Sequence, residues 1–400
     1  MSGLYIHIPF CESKCGYCDF YSIKRYKDSG FASDFVDTLT TEITQKSYLF
    51  HNQEVNTIYF GGGTPSILPL DDLERIFRTI SDNYNLASRS SLLPPHSSLL
   101  VPRSSLLVPR SSLECTLEIN PEHATDEYFS GLQRLGFVNR LSTGFQAMTD
   151  GGLRYLGRRH CVSDNYRYLE LCRKYGFHNF SVDYIFGYET LDDYQIEDAF
   201  RFFVDEGIPH ISAYSLGIEN NTPFMLKLRK GEIRKMDDDF YLRQFRLIHD
   251  ILESNGYLHY EISNYSLPDM HSRHNSNYWN SVPYLGFGPS AHSYYDGGRS
   301  WNERKLADYQ RQITENRHYA EREVLTKDDL FNEYIMLRLR TREGIDKEYL
   351  TVHFANYIEH FNKILRRRDL IEYFDVTDRY VRLNINGIFI SDHIISEFFV

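Results

Sequence analysis

The chain has 400 residues, 42% of them hydrophobic and 25% charged, which marks an ordinary globular protein with a substantial core. Lysine and arginine total 44 against 55 aspartate and glutamate, a net charge of −11 that does not favour a nucleic-acid or anionic-membrane partner. No run approaches ~18 consecutive apolar residues, and the N-terminus has neither a basic region nor a small-residue cleavage site, so a cytosolic location is expected.

Strand and helix signals alternate from the start. Residues 4–10 are apolar and strand-like, with Leu4, Ile6 and Ile8 alternating against Tyr5 and His7. Phe31, Phe35, Leu39 and Ile43 fall at helical spacing within 31–47. Residues 57–60 form a short β run ending in glycines, and Leu73, Ile76, Phe77 and Ile80 mark a second helix. The segment 114–120 reads as a strand, 126–135 as a helix stopped by Gly136, and 140–146 as a strand. A helix over 163–175 with Ser163 as N-cap and Gly176 behind it comes next. Strand, helix and strand follow at 179–186, 194–206 and 210–216. Six β runs alternating with helices imply parallel βαβ pairing, either in a full or partial barrel or in a doubly wound sheet.

Two regions break the pattern. Residues 90–113 carry a seven-residue serine, leucine and proline repeat, too short in period for a solenoid. It is expected to be a surface insert in a helix-to-strand connection. From about residue 325 helical stretches crowd together at 328–340 and 350–367. A β pair over 371–389 follows, with Asn386-Gly387 as its turn signal. The expected organisation is a large domain over 1–320 and a small winged-helix-like domain over 325–400. Arg366-Arg367-Arg368 is too short a basic run to argue for DNA.

The chemistry concentrates near the N-terminus. Cys11, Cys15 and Cys18 share one short loop, a set of soft ligands that selects zinc, copper(I) or an iron–sulfur cluster. A [4Fe–4S] cluster normally takes four cysteines, so three would leave one iron open. A Cys₃His zinc site using His7 is the competing reading, although strand alternation turns His7 toward the barrel interior. Gly61-Gly62-Gly63-Thr64-Pro65 directly follows the strand Ile58-Tyr59-Phe60, where glycines can serve a tight turn or let a ligand reach backbone N–H groups. Cys115, Cys161 and Cys172 are scattered and read as free thiols in a reducing compartment.

The cysteine loop and the glycine segment together resemble the radical S-adenosylmethionine (SAM) superfamily, which implies an α/β fold with a partial (β/α)6-type, TIM-like barrel. In that family CxxxCxxC binds a [4Fe–4S] cluster whose open iron chelates SAM. The likeness narrows through Tyr17-Cys18-Asp19-Phe20, Arg140-Leu-Ser-Thr-Gly-Phe-Gln146, Leu156-Gly-Arg158, Asp183-Tyr-Ile-Phe-Gly187 and Gly288-Pro-Ser-Ala-His292. These resemble the oxygen-independent coproporphyrinogen III oxidase group over nearly the whole chain outside the insert. The resemblance implies that Tyr5, Gly62, Glu118 and His292 contact cluster-bound SAM. It also implies that Tyr17, Gly63, Thr64, Gln146, Arg158, Asp183 and Ser215 correspond to positions that contact a second SAM in the oxidase.

Two departures point to a branch. Phe20 stands where the oxidase has a fourth cysteine, and the cluster loop begins at residue 11 without the oxidase's N-terminal extension. Both features are similar to the HemW-type heme chaperones. So is His274-Asn275-Ser-Asn-Tyr278-Trp279, an HNxxYW pattern in which His274 is the candidate heme ligand and His271 a competitor. Gly187-Tyr-Glu-Thr-Leu191 departs from the family's usual Gly-Leu-Pro and puts that loop's geometry in question. The branch resemblance implies three cofactors: the cluster, SAM and heme. It implies a heme-acceptor protein, with a membrane-bound respiratory enzyme as candidate, and an electron donor to the cluster. The protein would then be cytoplasmic and peripheral at the membrane during delivery. An oxidative porphyrinogen decarboxylase and a methylase-type enzyme are the rival readings.

Overall fold

A computed structural model describes residues 1–24, 29–88, 112–317 and 319–400. The repeat at 90–113 therefore lies outside the described residues except for Ser112 and Leu113. Six parallel strands pair in chain order: β1 (Ser2–Ile8), β2 (Val55–Gly62), β3 (Glu114–Glu118), β4 (Arg140–Gln146), β5 (Phe180–Phe186) and β6 (His210–Ser215). Helices Ser29–Gln45, Leu70–Asn83, Asp126–Leu135, Val162–Tyr175 and Asp193–Asp205 make the crossovers. Tyr284–Phe287 adds a seventh parallel strand beside β1. Antiparallel strands then extend both sides: His292–Tyr295, Gly298–Trp301 and Glu321–Val324 beyond Tyr284–Phe287, and Asn264–Ser266 and Leu258–Glu261 beyond β6. The hydrogen-bonded order runs from edge to edge among the described residues, so the barrel is partial.

The alternation within the strands sorts chemistry from core. One face carries Leu4, Ile6, Ile8, Ile58, Phe60, Leu117, Leu141, Phe145, Val182 and Ile211, all buried in the core that the strands share with the helices. The opposite face carries Tyr5, His7, Thr57, Tyr59, Thr116, Glu118, Arg140, Ser142, Ser181, Asp183, His210 and Ser212. These side chains meet across strands, as in Tyr59 Oη donating to Glu118 Oε1 at 2.8 Å and Ser181 Oγ donating to Ser142 Oγ at 3.0 Å. The barrel interior is therefore polar, and its layers are a place for ligand chemistry rather than for packing alone.

A second apolar core gathers Phe331, Ile335, Ile345, Phe361, Val381 and Ile394, with Ile388 packing against both cores. Its elements run helix Lys327–Arg338, strand Ile345–Asp346, helices Lys347–His353 and Ile358–Leu365, then strands Phe374–Val376 and Tyr380–Leu383, which is the winged-helix order. Three local expectations change. Asn386-Gly387 is not a hairpin turn, because Asn384 Oδ1 accepts from both N–H groups and starts the helix Ile385–Phe389. The stretch expected at 350–367 is two helices broken at Ala355–Tyr357. The helix expected to be capped by Ser163 begins at Val162, with the Cys161 N–H donating to Asp164 Oδ2 at 2.9 Å.

Candidate functional site at the C-terminal end of the barrel

The three thiols sit in the loop that leaves β1, at the strand ends where (β/α) folds place their ligands. Glycines pin that loop. A Cβ on Gly16 would lie 2.3 Å from the Phe224 ring, and Phe224 N–H donates to Gly16 O at 3.0 Å. Cys11, Cys15 and Cys18 are half-buried. Burial, opposed in part by a hydrogen bond from Thr64, pushes the Cys11 thiol above its usual range, and burial does the same at Cys18. Metal binding would thus release protons from these groups.

Thr64 Oγ1 donates to Cys11 Sγ at 3.8 Å, and Arg158 Nη1 donates to Cys15 Sγ at 3.5 Å. Arg158 also reaches Asn120 Oδ1 at 3.2 Å and Gly144 O at 3.4 Å, and Asn120 Nδ2 reaches Thr64 Oγ1 at 3.4 Å. Burial works against the Arg158 charge, but Tyr17 and Cys15 beside it outweigh that and raise its pKa. Asn120 closes this bracket between the glycine loop and the cysteine loop. It stands two residues after Glu118, outside every motif read from the sequence, and only the pairing of β3 with β2 and β4 brings it there.

The glycine triplet is fixed by close approach. Gly62 has φ +110°, and a Cβ there would sit 2.6 Å from the His7 ring; one on Gly63 would meet Phe10 O at 2.5 Å. Gly63 N–H donates to Ile8 O at 2.7 Å, which ties the end of β2 to the start of the cysteine loop. Glu118 accepts from Tyr59 and from the Gly62 N–H, and burial pushes its carboxyl up to about 7. Burial likewise lifts Asp183 to about 6, against the pull of Ser212 and Arg140. Tyr5 Oη lies 3.1 Å from His7 Nδ1, and burial lowers His7 to about 4, so its ring is neutral. Gln146 sits at φ 63° with its amide folded over Gly144, where a Cβ would lie 2.2 Å from Nε2.

The expected residues are not all gathered. Tyr5, Tyr17, Gly62, Gly63, Thr64, Glu118, Arg158 and Asp183 are linked by the bonds and charges described. Ser215 is exposed at the end of β6, and His292 is exposed at the start of the strand His292–Tyr295, two strands away from β1, with its ring stacked on Trp301 at 5.8 Å. His274 lies elsewhere: helix Arg273–Trp279 plugs the barrel beside the first residues of β1, β2 and β3, at the end opposite the cysteines. There His274 Nδ1 is 2.9 Å from Thr57 Oγ1, Nε2 is 2.8 Å from Tyr278 Oη, and its N–H donates to Glu114 Oε1 at 3.0 Å. Gly3 makes room for the ring, and the side chain is 1% exposed. Burial, with Arg140's charge behind it, lowers His274 to about 3. As placed, neither ring nitrogen offers a lone pair to a metal. His271, three residues before His274, is exposed.

Three thiols without a fourth, held by donors at a strand-end loop, fit a cluster with one iron open to a small ligand. A single zinc ion would hold sulfurs about 4 Å apart. The three cysteines do not form such a cluster of ligand atoms: among the described residues only Glu12, Glu122 and His123 place three potential ligand atoms within 4.8 Å of one another. Arg159 already engages Glu12 there. Phe20 is 71% exposed beside the loop.

Comparison with known proteins agrees with this geometry. Residues 5–203 match the radical SAM superfamily. The chain is 31% identical to heme chaperone HemW of Lactococcus lactis, over 86% of this chain and 83% of that protein. It is 32% identical to heme chaperone HemW of Escherichia coli K12, again over 86% and 83%, and 30% identical to that of Bacillus subtilis over 90% and 88%. In fold it is similar to the coproporphyrinogen III oxidase HemN of Escherichia coli, a radical SAM enzyme, with a TM-score of 0.80 at 20% identity over 99% of this chain and 89% of that one.

Proposed function

Because the chain belongs to the HemW-type heme chaperones of the radical SAM superfamily, we propose that it binds heme and passes it to an acceptor protein, with a [4Fe–4S] cluster and SAM at the cysteine loop supporting the transfer. The observation that carries the reading is the bracket Cys11–Thr64–Asn120–Arg158–Cys15, which ties the cysteine loop, the glycine segment and the barrel rim into one unit. When bound, the cluster supplies a single electron to SAM. Cys11, Cys15 and Cys18 would hold it, and the hydrogen bonds from Thr64 and Arg158 to sulfur would tune its potential. The glycine backbone leaves a shallow floor for the ligand. Glu118 and Asp183, both near neutrality in pKa, would accept or hold protons at the rim. The expected partners are a heme acceptor and an electron donor. No described helix is long and apolar enough to cross a membrane, and we place the protein in the cytoplasm, with delivery at a membrane enzyme.

The likeness of fold to the oxidase keeps porphyrinogen decarboxylation as the rival. Phe20 in place of a fourth cysteine counts against it. The two separate in one experiment on the anaerobically reconstituted protein. Hemin should bind saturably while coproporphyrinogen III is left unchanged by SAM and reductant. Decarboxylated product, without saturable hemin binding, would make the protein an oxidase instead.

A further inference from the structure

Tyr278 of the HNxxYW helix has a second set of neighbours. Tyr278, which holds His274 in the barrel, also lines a cavity of about 260 Å³ between the β1-side edge strands and the helix Lys327–Arg338. Tyr284 and Tyr294 form its walls, with Tyr284 edge-on to Tyr278 at 4.6 Å and 6.5 Å from Tyr294. Met336 enters from the C-terminal unit, and Arg299 crosses to Glu333 with Nε 2.5 Å from Oε1. Arg338 Nη1 to Asn280 Oδ1, at 2.6 Å, holds the same two units together next to it.

We propose that this cavity seats one edge of the heme, with the tyrosine rings against the macrocycle, Met336 Sδ on the iron and the Arg299 guanidinium on a propionate. The assignment rests on the heme chaperone reading and supplies a site for it. Heme is a flat apolar ring with two carboxylates and an iron open on its faces. Aromatic walls, a soft thioether and one cation match those three features. Arg299 has donors to spare, because a guanidinium carries five N–H groups and the cavity-lining Glu333 meets it through Oε1 at Nε. Met336 is the one thioether in the lining, and burial favours the neutral phenol at all three tyrosines. His274 has both ring nitrogens engaged, Nδ1 by Thr57 and Nε2 by Tyr278 itself. Cavities that enclose a ligand run from about 300 Å³ upward, so this one covers only part of the macrocycle. Partial cover suits a carrier that must give up its cargo.

The test titrates hemin into the full chain, reconstituted with its cluster, as wild type, Met336→Leu, Val282→Trp and His274→Gln. Val282 lines the cavity, and a tryptophan there would fill it. Met336→Leu conserves volume and decides the matter alone where Val282→Trp does not fold. Circular dichroism and cluster absorbance report the fold of each variant. Wild type should bind saturably and show the charge-transfer band that a thioether gives ferric heme. Met336→Leu should lose that band and bind about ten-fold more weakly. Val282→Trp should lose saturable binding, and His274→Gln should keep the wild-type spectrum. Wild-type affinity and spectrum in both Met336→Leu and Val282→Trp would overturn the site and leave the chaperone reading intact. A wild type that does not bind hemin would remove that reading, and the site with it.

Discussion

The two ends of the barrel are built from the same kinds of residue and are in opposite states. At the end where the chain enters β1, histidine, tyrosine, threonine and glutamate form a closed network. His274 meets Thr57, Tyr278 and Glu114, and Asn277 Nδ2 adds a bond to Thr57 Oγ1 at 3.2 Å. At the other end the thiols are half-buried and receive long contacts from Thr64 and Arg158, with Ser22 at Cys11 and the Phe20 backbone at Cys18, while Glu118 and Asp183 are held near neutrality in pKa. A satisfied polar network stabilises and specifies. A set of under-committed groups with displaced pKa values marks chemistry. A motif of reactive residue types therefore does not announce its role; the bonds it already makes do.

Substitutions at each end should separate these roles. The largest effect is expected from Cys15→Ala, which should abolish cluster assembly, read as loss of iron and sulfide, while the urea midpoint of the apo chain barely moves. At the opposite end His274→Ala should do the reverse. It strands Tyr278 Oη and opens a cavity, and should cost about 3 kcal/mol in urea unfolding of the apo chain, with the cluster still assembling. Equal loss of iron in both variants would erase the contrast. Arg158→Ala removes contacts to Cys15, Asn120 and Gly144 O; it should cost about 2 kcal/mol and move the cluster to a more negative potential in a redox titration. Arg158→Lys should not restore the potential, since one ammonium cannot serve all three acceptors.

The smallest effect is a pH slope. Folded Glu118 keeps its proton up to about 7, whereas the unfolded chain releases it near 4.5. Folding therefore takes up a proton between those values, and stability falls as pH rises through that window. Asp183, lifted to about 6, adds a slope of the same sign. Glu118→Gln should flatten the fall in urea midpoint without reversing it. A midpoint that rises across the window in wild type would contradict the burial of these carboxyls.

Much of the site-bearing half was legible in the sequence. The alternation of Leu4, Ile6 and Ile8 with Tyr5 and His7 gives both the strand and its polar face, and the cysteine spacing and GGGTP follow two strands that pair side by side. Other features depended on contacts across the chain. Asn120 and Arg158 are 38 residues apart, and no periodicity predicts their meeting. Asn-Gly at 386–387 signals a hairpin until Asn384 claims both N–H groups. The strands between 258 and 301 are only three or four residues long and too short to show a period, whereas the helix Asp238–Ser254 carries a legible one in Tyr241, Phe245, Ile248 and Leu252. His274 reads the same as a heme ligand or as a plug; only the direction of its ring, fixed by Thr57 and by the space that Gly3 leaves, distinguishes them.

The central claim is that the cysteine end carries a cluster with an open iron. Electron paramagnetic resonance of the anaerobically reconstituted, reduced protein, recorded with and without SAM, tests it most directly. The account predicts about four iron and four sulfide per chain and a cluster signal that shifts when SAM is added. Zinc in place of iron, or a signal indifferent to SAM, would contradict it.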